Sequence, residues 1–308
     1  MPRFMTSAFA LVKRAATEWV DLGVSRMGAA LAFYTLFAIA PLFVIVLAIA
    51  GLWFGEAAAR RELFSQVSGL VGSEGGDAIQ ALISAANRPT TGAWATVIAV
   101  VTLFIGATGV FVQLQDALNS IWGVRQAPGR GLRNFIKARI LSFALIVGIG
   151  FLLLVSLVLS AGLSAVGTYM GGLLPVQATL WQGINFVVSL AVITLLFAMI
   201  FKLLPDVKIA WRDVWIGALL TAVLFNLGKF LLGLYLGRSS VTSAYGAAGS
   251  LVIVLLWVYY SAQILFFGAK FTQLYSSRYG SHLRTVPGAE VAPVKQAVPE
   301  LNYPSVRS

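Results

Sequence analysis

Charged side chains in this sequence are separated by apolar runs too long for ordinary soluble elements. Twenty-nine uncharged residues lie between Arg26 and Glu56, 27 between Arg88 and Asp116, and 62 between Arg139 and Lys202. A helix rises about 1.5 Å per residue, so about 20 apolar residues cross a bilayer. The longest gap holds two crossings, and Gly167-Thr-Tyr-Met-Gly-Gly-Leu-Leu-Pro175 supplies the turn between them. Two further runs, 214–236 and 245–271, are interrupted only by Lys229 and Lys270. The pattern predicts an all-α polytopic integral membrane protein. Its six transmembrane helices fall at about 28–54, 92–115, 140–164, 178–202, 214–236 and 245–270. Stretches such as Phe151-Leu-Leu-Leu-Val155 are apolar on every side, unlike the alternating strands of a membrane barrel. The first run is too long for the core of a cleaved signal peptide and is expected to be retained.

The flanking segments carry amphipathic or polar patterns. Phe4, Ala8, Leu11, Val12, Ala15, Trp19 and Leu22 share about a third of a helical circumference, with Lys13, Arg14, Thr17 and Asp21 opposite. Residues 1–26 therefore read as an amphipathic N-terminal helix, either resting in the headgroup layer or packed against the bundle. In the 56–91 loop, Leu63, Val67, Leu70 and Val71, then Ile79, Leu82, Ile83 and Ala86, have helical spacing around a glycine-rich break. Two short helices capping the outer end are expected. The tail, 276–308, carries Pro287, Pro293, Pro299 and Pro304 with little apolar content, and is expected to be disordered from about Gly280 onward.

Composition narrows the chemistry. The chain has 308 residues, 59% of them hydrophobic and 11% charged, with no cysteine, one histidine and a net charge of +11. Disulfides, zinc–thiolate centres, iron–sulfur clusters and multi-histidine metal sites are thereby excluded. No cofactor is expected. The basic residues alternate by loop: 17 of them fall in 1–26, 116–139, 202–213 and the segment from Lys270, against four in the other loops. By the positive-inside rule this places both termini on the cytoplasmic side of the membrane. The same rule accounts for the high positive charge without a nucleic-acid partner. Gly228-Lys229 is no phosphate loop, because Val223 and Phe230 stand where glycine and Ser/Thr are needed.

Polar residues at membrane depth or at the rims are the candidate substrate path, since such groups usually face a cavity or the bundle interior. Asp116 ends the second span with Asn119 close by, while Lys202 and Lys270 end the fourth and sixth. An inner-rim cluster of Asp116 with Lys202 or Lys270 is one reading; snorkelling lysines and a capping Asp116 are the other. Lys229 lies about 10 Å inside its span, with Asn226 one turn before it. This pair either receives an anionic group or snorkels outward. Tyr34 and Thr35 precede Pro41, which breaks a backbone hydrogen bond in the first span. Gly51-x-x-x-Gly55 and Gly233-x-x-x-Gly237 permit close helix contact.

Several stretches then fall into a familiar order. They are Ala30-Leu-Ala-Phe-Tyr34-Thr with Pro41-Leu42, and Asp116-Ala-Leu-Asn119-Ser-Ile-Trp122-Gly123-Val124. Next come Leu204-Pro205-Asp206-Val207-Lys208, Trp211-Arg-Asp-Val and Gly217-Ala-Leu-Leu. Ser243-Ala-Tyr245-Gly246-Ala-Ala-Gly249-Ser250, Leu256-Trp257-Val-Tyr259 and Gly268-Ala269 complete the set. From about 15 to 275 the chain resembles the YihY/BrkB family of bacterial inner-membrane proteins, once labelled ribonuclease BN. The resemblance implies six membrane helices and two inherited labels, a virulence or serum-resistance factor and a tRNA-processing ribonuclease. The residues argue against the second, since no nuclease centre can be assembled from them. Where the family often has an acid after the Gly-Ala of the last span, this chain has Lys270.

The expected function is non-enzymatic: transport or export of a lipid-like or small amphiphilic substrate, whose identity the sequence leaves open. The alternative is a membrane scaffold or envelope-integrity factor that moves nothing. Membrane lipids are the expected partners, with a homo-oligomer as a further expectation.

Overall fold

The computed structural model describes residues 2–71, 76–81, 109–126, 176–238, 249–280, 284–286 and 289–291. The expected span at 140–164 and most of that at 92–115 lie outside the described residues. The described part is mostly helical. Helix α1 covers Pro2–Asp21, α2 Val24–Phe54 and α3 Glu56–Val71. A short helical stretch follows at 76–81, and α4 covers 109–122. Helices α5, α6 and α7 are Val176–Leu203, Trp211–Arg238 and Gly249–Tyr279. Among the described residues, three helices contain stretches long and apolar enough to cross a membrane: Phe186–Leu203, Trp211–Tyr235 and Leu251–Tyr279.

Helix α7 is the centre of the described bundle, packed between α2 and α6, with α5 on the far side of α6. Lipid tails are as apolar as leucine, so close packing rather than escape from water selects these contacts. The α6–α7 seam shows how. A methyl group built on Gly217 would overlap the Thr272 hydroxyl and lie 2.8 Å from Thr272 Cβ. One built on Gly268 would overlap the Thr221 hydroxyl and lie 2.9 Å from Thr221 Cβ. Each glycine thus receives the threonine of the opposite, antiparallel helix. Each threonine hydroxyl donates to the carbonyl of the glycine four residues earlier on its own helix, Thr221 to Gly217 at 2.6 Å and Thr272 to Gly268 at 2.7 Å. The two GxxxG pairs noted in the sequence are not this seam: at Gly55 and Gly233 a side chain would meet open space among the described residues.

The outward face of α6 is apolar and exposed at regular spacing, through Trp211, Trp215, Leu219, Val223, Leu227, Phe230 and Leu234. Its inward face is Val214, Gly217, Ala218, Thr221 and Ala222. A ring series Phe201–Phe197–Phe225–Trp257, with centroids 6.2, 5.6 and 5.5 Å apart, ties α5, α6 and α7 together. It joins two buried cores. The larger contains Leu118, Trp122, Phe201, Val214 and Phe266; the smaller contains Leu232, Ile253, Val254 and Trp257, together with Ala78 and Ile79 from the 76–81 stretch.

Of the two readings of the N-terminal helix, the structure shows packing on the bundle. Leu11 and Ala15 are buried against Leu274, with Phe267 and Phe271 beside them. Phe9, Val12 and Val20 stay exposed. Gly23, in the left-handed region at φ 63°, turns α1 into α2, a conformation that costs side-chain-bearing residues more. The backbone of α2 is helical through Pro41.

The tail departs from expectation. Helix α7 continues to Tyr279, and the stretch read as disordered contains two strands. Strand β2, Val207–Lys208, pairs antiparallel with β3, Arg284–Thr285. Strand β1, Val124–Gln126, pairs antiparallel with β4, Ala289–Val291, setting Arg125 opposite Glu290. A low apolar content forbids a core but not a ladder. Two loop edges with unmet backbone groups suffice to order the segment.

Candidate functional site

At one end of the bundle the chain gathers α1, the end of α4, the α5–α6 connection and the end of α7. These are the segments in which the sequence concentrates its basic residues. The connection forms because Leu203 ends α5 and Pro205 prevents its continuation. The freed N–H of Asp206 donates to Asn119 Oδ1 at 2.8 Å, and Asn119 Nδ2 donates to Asp206 Oδ2 at 3.0 Å. The Asp206 carbonyl accepts from the Val286 N–H at 3.3 Å, so the tail is fastened at the same residue. Asn119 is only 4% exposed. Its position is set by α4, whose Ala117, Leu118, Ile121 and Trp122 are buried in the larger core. Gly123, at φ 67°, then reverses the chain into β1.

Asp116 lies just past the end of its expected span, one turn before Asn119. Burial raises its carboxyl above the ordinary range, and the charge of Asp206 adds to that. Its electrostatic neighbour is thus an acid, and the expected cluster of Asp116 with Lys202 or Lys270 does not form. Both lysines are used elsewhere. Lys202 Nζ donates to the Ile209 carbonyl and lies 5.7 Å from the centre of the Trp211 ring. Lys270, 6% exposed, pairs with Glu18 of α1 at 2.7 Å, and Arg14 pairs with the same carboxylate at 2.6 Å. Burial pushes the Glu18 carboxyl up, but the hydrogen bonds and charges of Lys270 and Arg14 outweigh it and hold the group below its ordinary value. Lys270 therefore does not snorkel to water. The acid it needs comes from another helix.

A third link lies beside these. Asp213, 3% exposed in the first turn of α6, accepts from Ser276 Oγ at 3.0 Å. Gly280 closes over it, where any side chain would overlap the carboxylate. Asp213, Asp206, Glu18 and Ser276 were not among the residues singled out by the sequence. The signal for Asp213 and Asp206 was their place within the Leu-Pro-Asp-Val-Lys and Trp-Arg-Asp-Val stretches.

The candidates at membrane depth do not converge on one another. Tyr34 packs edge-on to Phe33 at 5.8 Å and covers Gly109 of α4. Asn226 spends its amide N–H on the Ala222 carbonyl of its own helix at 2.9 Å. Lys229 is half-buried one turn on. A further polar group lies at membrane depth on α7. Gln263, midway along α7, lies against Gly28 of α2, and its amide oxygen and nitrogen are both shut from solvent without a hydrogen-bond partner among the described residues. The Ser261 hydroxyl is in the same condition. Both were visible as polar interruptions in the run 245–270. Among the described residues, no group of three His, Cys, Asp or Glu could hold a metal ion.

Comparison with known proteins agrees with the motif order. A family model described as Virulence factor BrkB matches residues 15–292. A UPF0761 membrane protein of Ralstonia nicotianae is 33% identical over 179 residues, which are 56% of this chain and 38% of that protein. Another, of Pseudomonas paraeruginosa, is 31% identical over 252 residues, 78% of this chain and 56% of that protein. A third, of Mannheimia succiniciproducens, is 28% identical over 255 residues, 81% of this chain and 83% of that protein. This chain therefore spans about half the length of the first two relatives. No solved structure matches it. With nine-tenths of its length under one family model, the chain belongs to the YihY/BrkB family of membrane proteins.

Proposed function

We propose that this protein is a six-span transporter or exporter of a bacterial inner membrane, with both termini cytoplasmic, moving a lipid-like or amphiphilic substrate without covalent chemistry. Gln263 carries the reading. It stands 14 residues from the start of α7 and 16 from its end, about 21 and 24 Å at 1.5 Å per residue. A packed scaffold has no use for an amide that finds no partner among the described residues, because each unmet polar group away from water costs about 1–3 kcal/mol. A path does, since water or a passing polar headgroup supplies the missing partner. Ser261 supports the same reading. The convergence of the basic segments on one end supports the orientation. Nothing in the reading calls for a cofactor or a nucleic-acid partner; membrane lipids surround the path, and a second copy of the chain completes its wall.

The test is reconstitution into liposomes, with fluorescent-lipid scrambling and dye efflux followed for wild type, Gln263→Leu and Ser261→Ala. Wild type should move at least one substrate class. Gln263→Leu should slow it at least about tenfold while leaving the protein as stable or more so, because the unmet amide is gone. If purified wild type moves nothing while loss of the protein still weakens the envelope, the scaffold reading replaces this one. A Gln263→Leu protein that transports at the wild-type rate would remove Gln263 from the path.

A further inference from the structure

One corner of the bundle has features that neither the transport path nor the inner links use. At the start of α6, Trp211 and Trp215 are 47% and 43% exposed, one turn apart, with ring centroids 6.5 Å from each other. They head the apolar outward stripe of that helix. Tryptophan favours the boundary between headgroups and chains, where its ring is apolar and its N–H reaches a polar partner. Three cations belong to the same segment: Lys202 is held over the Trp211 ring, Arg212 follows Trp211 directly in α6, and Lys208 lies three residues before it, the last two exposed. Of the acids in the same segment, Asp206 accepts from Asn119, and the buried Asp213 accepts from Ser276. Among the described residues, none of the three cations pairs with a carboxylate. Positive charge at interface depth, an aromatic shelf and an apolar stripe leading away from it match one kind of molecule.

We propose that this corner binds an anionic phospholipid, its phosphate at Lys202, Lys208 and Arg212, its glycerol region on Trp211 and Trp215, and its chains along the α6 stripe. Lys202 is prepositioned by the Ile209 carbonyl and the Trp211 ring, whereas Lys208 and Arg212 close on the headgroup from the water side. The site rests on the membrane location and not on transport; a protein that moves nothing would still hold the lipid.

Quenching of tryptophan fluorescence by brominated lipid tests it on the full chain in bilayers. The contribution of this pair among the eight tryptophans is isolated by subtracting a Trp211→Phe/Trp215→Phe variant. Brominated phosphatidylglycerol should quench the pair at a mole fraction at least about fivefold lower than brominated phosphatidylcholine, even if a single cation acts in full. Each interfacial cation contributes a factor of about five toward an anionic surface. Lys208→Gln/Arg212→Gln keeps the buried support of Lys202 and should bring the two lipids toward parity, leaving quenching by phosphatidylcholine unchanged. Added inorganic phosphate should not compete. Equal quenching by both lipids in wild type, or an unchanged preference in the double variant, overturns the proposal. So does competition by phosphate, which would mean a free-anion site. Quenching by neither lipid would place a second copy of the chain on this face and overturn it as well.

Discussion

The reciprocal glycine–threonine seam between α6 and α7 makes a quantitative demand. Gly217→Ala places a methyl group where the Thr272 hydroxyl sits and 2.8 Å from its Cβ. Both are buried, and the hydroxyl is fixed by its bond to the Gly268 carbonyl. Overpacking of this kind costs about 1–3 kcal/mol, opposing the gain of about 1 kcal/mol that Ala brings over Gly in a helix. Thr272→Ala removes the overlapping hydroxyl and with it a bond to its own helix, at a cost of about 0.5–1.5 kcal/mol. Combined, the two should destabilise less than their sum by at least about 1 kcal/mol. Unfolding in mixed detergent micelles, followed by circular dichroism, measures all four corners of the cycle. Gly233→Ala is the control: it faces open space among the described residues and should stabilise by about 0.5–1 kcal/mol. Additivity within about 0.5 kcal/mol, or a Gly217→Ala that behaves like Gly233→Ala, would refute the seam.

Three further outcomes follow from the links at the basic end. Asn119→Ala removes the acceptor of the Asp206 N–H and one donor to its carboxylate, and should destabilise by about 1–3 kcal/mol in the same assay; no loss would mean that water replaces the amide in full. Glu18→Gln leaves the Lys270 ammonium buried without its charge partner, at the low end of the roughly 3–5 kcal/mol for breaking a buried pair. Because the native carboxyl of Glu18 sits below its unfolded value, its contribution is present above the ordinary carboxylate pKa and is lost as pH falls through the depressed one. A pH titration of stability should show that acid limb in wild type and not in Glu18→Gln. Asp116 has the opposite sign: its raised pKa favours the protonated form in the native state, so ionisation at neutral pH opposes folding. Asp116→Asn should therefore melt higher than wild type at pH 7, with the difference closing as pH falls through the raised pKa; a lower melting temperature at pH 7 would contradict the geometry.

The helices were legible in the sequence because lipid imposes a composition on whole segments. α5 and α6 begin and end within three residues of the expected 178–202 and 214–236, whereas α7 runs nine residues past the expected end at 270. Side-chain partnerships were less legible. Lys270 looked like a rim lysine because its partner, Glu18, is 252 positions earlier in a helix whose docking the periodicity alone left open. The α6–α7 seam was hidden because its spacing is Gly-x-x-x-Thr on both helices, whereas the recognisable Gly-x-x-x-Gly at Gly233 meets nothing among the described residues. Asp116 and Lys202 share an end of the molecule but not a bond, since charge sign says who can pair and backbone geometry decides who does. The tail strands were missed for a related reason. A segment such as Ala289-Glu-Val291 has no core of its own and acquires order only from an edge supplied by Val124–Gln126.

That pairing has a consequence for biogenesis. β1 leaves the ribosome 165 residues before β4 completes its ladder, an interval of roughly 10–30 s at ordinary elongation rates. Throughout it the 124–126 edge stands open while the later helices are still being inserted. Final closure must therefore be post-insertional, a zippering of already placed loops by the last strands made. Any nascent neighbour with a free extended segment competes for the same edge until that moment.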